Sequence, residues 1–358
     1  MQVDDGQATL AGNRWRARRS YARPLPGGAE LVRVWRRRKP AELRARLDGG
    51  PLAVWGEDDV LHVLWQGAKA RLVTGLQLPL WPVKGADDLW EVSVRVRHLD
   101  TAVISITVLP ADDDEAQEVE RIWHGSRAAP APPAADPLAG TVTTRTIESR
   151  SLGGPREVTI YRPHGAAGPM PLCLLADGQS TTGYAGVLEA AISAGVLPPI
   201  TLAGLHSDAG GELPDGRTRE YVLPFDPVRF GRHLAFAVDE VLPDLPEATC
   251  VITAGFSNGA AFALAAADRR PDRIAAAVAL SPNLLPGQLV AGVRTPRYLA
   301  AGTIEPGFRE CARMLAERLT ERGVEHVHQE WQGGHDPYWW RVHLVAGLAW
   351  LTRGPLLP

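Results

Sequence analysis

The hydrophobic pattern of the chain changes character about a third of the way along. Up to residue 127, short runs that alternate apolar and polar residues are separated by Gly, Asp and Pro turns, which is typical of half-buried strands. The expected strands are Ala53 to Trp55, Asp59 to Trp65, Ala70 to Leu76, Trp90 to Arg97 and Val103 to Leu109. This spacing predicts a small all-β, sandwich-like domain over residues 1–127.

A different pattern begins after residues 128–140, a proline- and alanine-rich stretch that predicts a semi-rigid linker. From 141 to 358, short apolar runs alternate with longer helical patterns. An opening hairpin is expected at Val142 to Ile147 and Glu157 to Tyr161. The later expected strands are Pro171 to Ala176, Ile200 to Leu205, Cys250 to Ala254, Ile274 to Leu280, Arg297 to Ala301 and Glu325 to Trp331. This alternation predicts an α/β domain with a doubly wound, mostly parallel sheet.

The most informative motif lies between one such strand and a helical run rich in alanine. Gly255-Phe256-Ser257-Asn258-Gly259 is a G-x-S-x-G pentapeptide that follows a short apolar strand. Strand, sharp turn and helix form the setting of a nucleophile elbow, which presents a serine hydroxyl above the sheet. We therefore predict an α/β-hydrolase fold with Ser257 as nucleophile, the alternative being an ordinary glycine-rich turn.

A serine hydroxyl needs a base, and in α/β-hydrolases the chain order is serine, acid, histidine. His335 lies in a glycine loop just past the last predicted strand, where a base reaches the elbow, so we predict that it is the base. His326 and His328 alternate along that strand and raise the possibility of a metal site. Two histidines without a third ligand do not support one, so we predict neither metal nor cofactor.

The acid that orients the imidazole is expected in the loop after the penultimate strand, where Glu305 lies. Asp336 adjoins His335, but a neighbour in sequence seldom reaches the far ring nitrogen. Asp336 followed by Pro337 also fits the N-cap and first position of a helix. Glu305 is therefore the predicted acid, with Asp336 or a serine–histidine dyad left open.

An oxyanion hole requires two backbone donors. The amide of Asn258, directly after the nucleophile, is one candidate. The second is expected in the loop after the strand that ends at Ala176, where Gly178 permits unusual backbone angles. We predict that Gly178 or Gln179 supplies it, the alternative being a plain Asp-Gly turn.

Composition excludes several classes of function. A net charge of −3 gives no general attraction to nucleic acid or membranes, and no run of about 18 apolar residues predicts a membrane span. The N-terminus does not have the features of a signal peptide. Three cysteines in predicted core elements favour reduced thiols and a cytoplasmic location. The sequence leaves the oligomeric state open.

Taken together, the motifs resemble those of the enterochelin esterase family, which cleaves ester bonds of ferric catecholate siderophores. Four segments carry the resemblance: Leu174 to Gln179, Arg217 to Tyr221, Gly255 to Gly259, and Gly333 to Asp336 with the tryptophans that follow. The β-rich N-terminal region and the proline-rich linker are also similar to that family.

The resemblance implies a small-molecule ester substrate, an enterobactin-like trilactone or its ferric complex. Such a bulky aromatic anion is bound by cations and aromatic faces. The residues implied in substrate binding are Arg217, Arg219, Glu220, Trp339 and Trp340, with the basic run Arg36 to Lys39 as a further source of charge. Trp339 and Trp340 are adjacent on a helix, so at most one of them faces the site squarely.

Two other functions remain open at this stage. An acyltransferase would use the same serine, histidine and acid, with an acceptor alcohol in place of water. A non-catalytic protein would use the cleft to hold an anionic aromatic ligand, although the intact Ser257 and His335 argue against it.

Overall fold

The computed structural model of the chain describes residues 31–34, 38–110, 118–208, 210, 215–283, 288–290 and 292–353. The early strands are β1 (Leu31–Arg33), β2 (Leu52–Glu57), β3 (Val60–Gln66), β4 (Ala70–Leu72), β5 (Trp81–Pro82), β6 (Leu89–Val96), β7 (Val103–Pro110) and β8 (Val119–His124). Those after the linker are β9 (Thr141–Ser149), β10 (Gly154–Arg162), β11 (Met170–Ala176), β12 (Thr201–Leu205), β13 (Ala248–Phe256), β14 (Ala276–Leu280), β15 (Arg297–Gly302) and β16 (His326–Trp331).

The helices lie in the connections between these strands, and the last one follows the last strand. They are α1 (Pro40–Arg44), α2 (Thr181–Ser193), α3 (Gly216–Tyr221), α4 (Pro227–Ala235), α5 (Leu242–Asp244), α6 (Asn258–Arg269), α7 (Phe308–Glu321) and α8 (Pro337–Thr352). A π-helical turn at Phe236–Val241 joins α4 to α5. None of the helices within the described ranges has the length and apolar character needed to cross a bilayer.

The large sheet defines the second domain. Among the described residues it contains eight strands in the order β16-β15-β14-β13-β11-β12-β10-β9. The strands from β11 to β16 run parallel, whereas β9 and β10 form an antiparallel hairpin at one edge. The chain winds from β11 outward to β12 and then returns to place β13 on the other side. The crevice at this switch between β11 and β13 is where ligands bind in open α/β sheets.

Helices cover both faces of this sheet. α2 and α8 lie on one face over a core that contains Cys173, Ile252 and Trp340. α6 and α7 lie on the other face, over a core that contains Leu174, Phe262 and Leu315. The central strands are buried on both sides, which is why their sequences are continuous apolar runs without alternation.

The N-terminal region is β-rich. Its described residues form one sheet of β1, β2, β3, β5 and β6 and a second of β4, β7 and β8, packed over a shared apolar core. Ile304, from the loop after β15, is 2% exposed and belongs to this same core. The two parts of the chain are therefore packed together directly beside the loop that carries Glu305.

The predicted fold class, an α/β-hydrolase sheet preceded by a small β domain, is confirmed. Among the helices, α4 changes to a π-helical turn after Ala235. The sequence did not predict β1, β5 or β8. β5 has two residues, too few for an alternating pattern to be visible.

Candidate active site

The elbow holds Ser257 in a backbone conformation that side chains rarely adopt. Its φ is 56° and its ψ is −125°, between the end of β13 and the start of α6. A Cβ on Gly255 would lie 2.3 Å from the backbone of Gly259, and one on Gly259 would lie 2.9 Å from the Ala176 side chain. Only glycine fits at both positions, so the pentapeptide allows the tight turn that raises the serine above the sheet.

His335 lies in the loop between β16 and α8, and its side chain is nearly buried. Its ring packs on Phe308, with centroids 4.5 Å apart, and edge-on against Trp340 at 4.7 Å. Trp340 also stacks on Phe256, the residue before the nucleophile, at 4.3 Å. One tryptophan therefore links the predicted base to the elbow through aromatic contacts.

Glu305 lies beside the imidazole of His335. Its Oε1 is 3.5 Å from His335 Nδ1, which is an ion-pair distance and slightly longer than a good hydrogen bond. Catalytic hydrogen bonds are often long before substrate binds and tighten afterwards. The predicted acid thus faces the ring nitrogen that must be held for the other nitrogen to act as base.

Glu305 is itself positioned by a short chain of donors. Ser281 Oγ donates to Glu305 Oε1 at 2.8 Å, and Trp340 Nε1 donates to Ser281 Oγ at 2.9 Å. Burial raises the pKa of the Glu305 carboxyl, and the neighbouring His335 and Ser281 only partly oppose this effect. The carboxyl group of Glu305 is thus buried beside an imidazole whose protonated form would be its counter-ion.

Asp336 bonds to groups other than the imidazole. Its side chain accepts the amide of Tyr338 at 2.9 Å, and so caps the first turn of α8 as predicted for an N-cap residue. Its carboxylate also accepts bonds from the backbone and hydroxyl of Ser105, in the N-terminal domain. Both oxygens are thereby engaged in structural bonds, which favours Glu305 over Asp336 as the acid.

The predicted oxyanion turn follows β11. Asp177 has a left-handed backbone, with φ at 62°, and Gly178 begins a single 3₁₀ turn that ends at Ser180. A Cβ on Gly178 would lie 2.3 Å from the carbonyl oxygen of Gly204, so glycine is required there. Asn258 is the first residue of α6, where an amide has no partner within the helix.

Arg217 fixes this turn. Its Nε and Nη2 each donate to one oxygen of Asp177, both at 2.6 Å, and Nη2 lies 3.5 Å from the carbonyl oxygen of Phe256. Burial opposes the charge on Arg217, but the Asp177 carboxylate outweighs burial and raises the pKa of the guanidinium. This arginine therefore bridges the oxyanion turn and the elbow.

Glu220 lies inside the protein, with no exposed side chain. It accepts bonds from Arg156 at 2.6 Å, from Arg229 at 3.1 Å and from the Asp208 amide at 2.9 Å. A buried carboxylate with these partners anchors α3, so the structure does not place Glu220 among residues that a substrate contacts. Arg219, two residues after Arg217, is exposed on the same helix.

The two tryptophans have separate positions, as expected for neighbours on a helix. Trp340 borders His335, whereas Trp339 donates its Nε1 to the carbonyl of Val103 in the N-terminal domain at 2.9 Å. In the basic run, residues 36 and 37 lie outside the described residues. Arg38 pairs with Glu57 at 3.0 Å.

The two histidines of the last strand have the surroundings of ordinary structural residues. His326 lies 2.9 Å from the carbonyl of Val324, and burial lowers the pKa of His328. Across the residues that the structure describes, no three His, Cys, Asp or Glu side chains come together as a metal site requires.

Two residues of this centre were missed by the sequence interpretation. Ser281 directly follows β14, and Phe308 begins α7. A polar residue at the carboxyl end of a central parallel strand was a usable signal for Ser281, because such strand ends meet at the site. No local pattern distinguishes Phe308 from a core aromatic residue.

An elbow serine, a histidine after the last strand and a carboxylate after the strand before it define the class of α/β-hydrolases. No protein-family model matches the chain. The iron(III) enterobactin esterase of Dickeya dadantii (strain 3937) is 32% identical over 258 residues, which cover 61% of this chain. The match spans 56% of that relative's length, a little over half.

Solved structures place the fold among the enterochelin esterases. The enterochelin esterase of Shigella flexneri matches with a TM-score of 0.63 at 17% identity, over 88% of this chain and 98% of that one. The ferric enterobactin esterase of Salmonella typhimurium matches with a TM-score of 0.61 at 16% identity, over 87% and 99%. The resemblance to enterochelin esterases predicted from the sequence is confirmed, and these relatives are carboxylic ester hydrolases.

Proposed function

We propose that the protein is a serine esterase that hydrolyses ester bonds of a catecholate-type siderophore, an enterobactin-like trilactone or its ferric complex, or of a related acylated metabolite. The main support is that Glu305 lies against the Nδ1 side of His335 on the same sheet edge as the Ser257 elbow. The Dickeya dadantii relative, an iron(III) enterobactin esterase, points to the substrate class.

In the proposed reaction, Ser257 Oγ attacks the ester carbonyl carbon while His335 accepts its proton. The amides of Asn258 and of Gly178 or Gln179 stabilise the oxyanion of the tetrahedral intermediate. His335 then protonates the leaving alcohol as the acyl-enzyme forms. Water then attacks the acyl-enzyme while His335 accepts its proton. The acid product leaves as His335 returns this proton to Ser257 Oγ.

Glu305 has an electrostatic role in this cycle. Once His335 is protonated, the buried carboxylate is paired with a neighbouring cation, which offsets the cost of burying each charge alone. Ser281 holds the carboxylate while the proton is on the ring. The pair is thus more favourable in the transition state than in the resting enzyme, which is the condition for accelerating the chemical step.

Substrate recognition is expected at the rim formed by α3 and the aromatic residues of the site. Arg219 is exposed on α3 and is the cation we propose for an anionic acyl group. Trp340 and Phe256 supply stacked aromatic surface next to the nucleophile. We also propose a cytoplasmic location, because Cys173 and Cys311 are buried in core elements, as is usual for reduced thiols.

The test is mass spectrometry of the protein incubated with apo-enterobactin, ferric enterobactin and linear catecholate esters. We expect hydrolysed fragments with wild type and none with Ser257→Ala. A fluorophosphonate probe should label wild type on Ser257 alone. Equal labelling of wild type and Ser257→Ala, or fragments from both, would contradict the assignment. Cleavage of p-nitrophenyl acetate without cleavage of any catecholate ester would keep the esterase and overturn the substrate class.

A further inference from the structure

The loop that carries His335 is held by the N-terminal domain as well as by the domain to which it belongs. Gly75 and His335 form a short antiparallel bridge: the Gly75 amide donates to the His335 carbonyl at 2.9 Å, and the His335 amide donates to the Gly75 carbonyl at 3.1 Å. Both backbone groups of the proposed base are therefore satisfied by a residue more than 250 positions earlier.

The next residue of the loop is tied to the same domain. Ser105 Oγ donates to Asp336 Oδ1 at 2.8 Å, and the Ser105 amide donates to Asp336 Oδ2. Ser105 is 2% exposed and Asp336 is fully buried, so water cannot replace these bonds. Since Asp336 also caps α8, the start of this helix and the loop before it are fixed at one point.

Bonds on both sides of His335 extend the same attachment. Before it, the Val103 amide donates to the Gln332 carbonyl at 3.2 Å. After it, Trp339 Nε1 donates to the Val103 carbonyl at 2.9 Å. Ile304, the residue before Glu305, is buried in the core of the N-terminal domain. Base and acid are thus both adjacent to residues that this domain holds.

Close packing explains the glycines of the loop. A Cβ on Gly334 would lie 1.8 Å from the Gly75 carbonyl oxygen, and one on Gly333 would lie 2.6 Å from the Val103 carbonyl oxygen. Neither contact is possible for a larger residue. The Gly-Gly-His sequence is therefore fitted to the surface of the other domain and is more than a flexible turn.

We propose that the N-terminal domain completes the catalytic centre by fixing His335, and that Ser105 and Gly75 act as positioning residues; this rests on the proposed function. A base must lie within hydrogen-bond reach of the nucleophile, and a misplacement of about 1 Å lowers the rate roughly 100-fold. Neither residue touches the reacting atoms. Their effect is transmitted through the backbone of the histidine loop.

The experiment compares Ser105→Ala with Ser93→Ala in the full chain. Ser93 is a matched control, because its hydroxyl makes a buried 2.7 Å hydrogen bond to His62 in the same domain and lies outside the histidine loop. On p-nitrophenyl acetate, we expect Ser105→Ala to lower kcat by about 10-fold or more, with KM within about twofold. Ser93→Ala should retain wild-type kcat at similar loss of stability.

A second measurement does not depend on turnover. Amide hydrogen exchange of residues 332–336 should be faster in Ser105→Ala than in Ser93→Ala. Wild-type kcat in Ser105→Ala, or equal exchange in both variants, would overturn the proposal. If Ser105→Ala does not fold, Trp339→Phe, which removes the bond to Val103 and keeps an aromatic ring at this position, takes its place with the same criteria. If wild type cleaves no ester, the proposed function fails, whereas the exchange measurement still decides whether the N-terminal domain holds the loop.

Discussion

Replacing Arg217 by methionine is expected to lower turnover of every ester, neutral or anionic. The sequence suggested that this arginine contacts an anionic substrate, but its guanidinium makes a bidentate pair with Asp177. Asp177 directly precedes the turn that carries the proposed oxyanion donors at Gly178 and Gln179. Loss of Arg217 therefore releases the turn that must hold those amides in place.

The expected loss of stability follows from the burial of the two paired side chains. The Asp177 side chain is 5% exposed and that of Arg217 is 24% exposed, so removal of the arginine leaves a nearly buried carboxylate without its counter-ion. Breaking such a pair costs about 3–5 kcal/mol of unfolding free energy, and we expect about 3 because the arginine is partly solvated. A lost oxyanion donor lowers kcat by about 100- to 1,000-fold, so a loosened turn should lower it by roughly 10- to 100-fold.

The assay measures kcat, KM and denaturant unfolding for two substrates, p-nitrophenyl acetate and a linear catecholate ester. For stability and for the neutral ester, the matched control is Arg219→Met, which removes an exposed cation from the same helix. The double variant Arg217→Met with Asp177→Asn should regain most of the stability, because no unpaired charge remains, while turnover stays low.

Two results would refute this reasoning. If Arg217→Met retains wild-type stability and raises KM for the catecholate alone, Arg217 contacts substrate and its pair with Asp177 opens when substrate binds. If Arg219→Met lowers kcat on the neutral ester as much as Arg217→Met does, the effect belongs to α3 as a whole and the Asp177 bridge has no special role.

Three further predictions follow from burial and close packing. Burial lowers the pKa of His233 to about 3, so below pH 6.5 the unfolded chain binds a proton that the folded chain excludes. The free energy of unfolding of wild type should therefore fall by about 2 kcal/mol between pH 7 and pH 5. Urea unfolding of His233→Phe should show no such fall. Burial raises the pKa of Glu305 above 4.5, so wild type should lose stability as pH rises through that raised value; Glu305→Gln should lose this dependence, with strongly reduced kcat, and unchanged kcat would contradict its role as acid. Gly255→Ala places a Cβ 2.3 Å from Gly259 and should abolish fluorophosphonate labelling, whereas Gly154→Ala, with no atom within 4 Å, should label normally.

The sequence predicted the parts of this protein that local patterns determine. The alternation of strands and helices gave the α/β domain, because buried parallel strands are continuous apolar runs. The elbow around Ser257 and the glycine loop before His335 were visible, since both need glycine at fixed offsets from the candidate nucleophile or base. Glu305 was located by its place after a strand end.

The sequence could not show which polar and charged side chains that are distant along the chain form contacts in the fold. Asp177 and Arg217 are 40 positions apart, and Ser105 and Asp336 are 231 apart. No periodicity relates such pairs, because their meeting depends on how the strands are ordered in the sheet and how the two domains dock. The contacts of Ser281 with Glu305 and of Ser105 with Asp336 were missed for this reason.

The segment Arg217 to Glu220 on α3 lies near the candidate site, but the arginine and the glutamate that begin and end it pair with other charged groups of the protein. Arg217 is directed to Asp177, beside the oxyanion turn, and Glu220 is directed to Arg156 and Arg229, away from solvent. Arg217 and Glu220 each pair with an opposite charge on another part of the chain, so these two pairs contribute little net field toward a substrate. Attraction for an anionic acyl group must then come from cations outside the segment's internal pairs, such as the exposed Arg219 between them. Charge reversal at that position, Arg219→Glu, should therefore raise KM for anionic esters while the fold and turnover of neutral esters stay as they are.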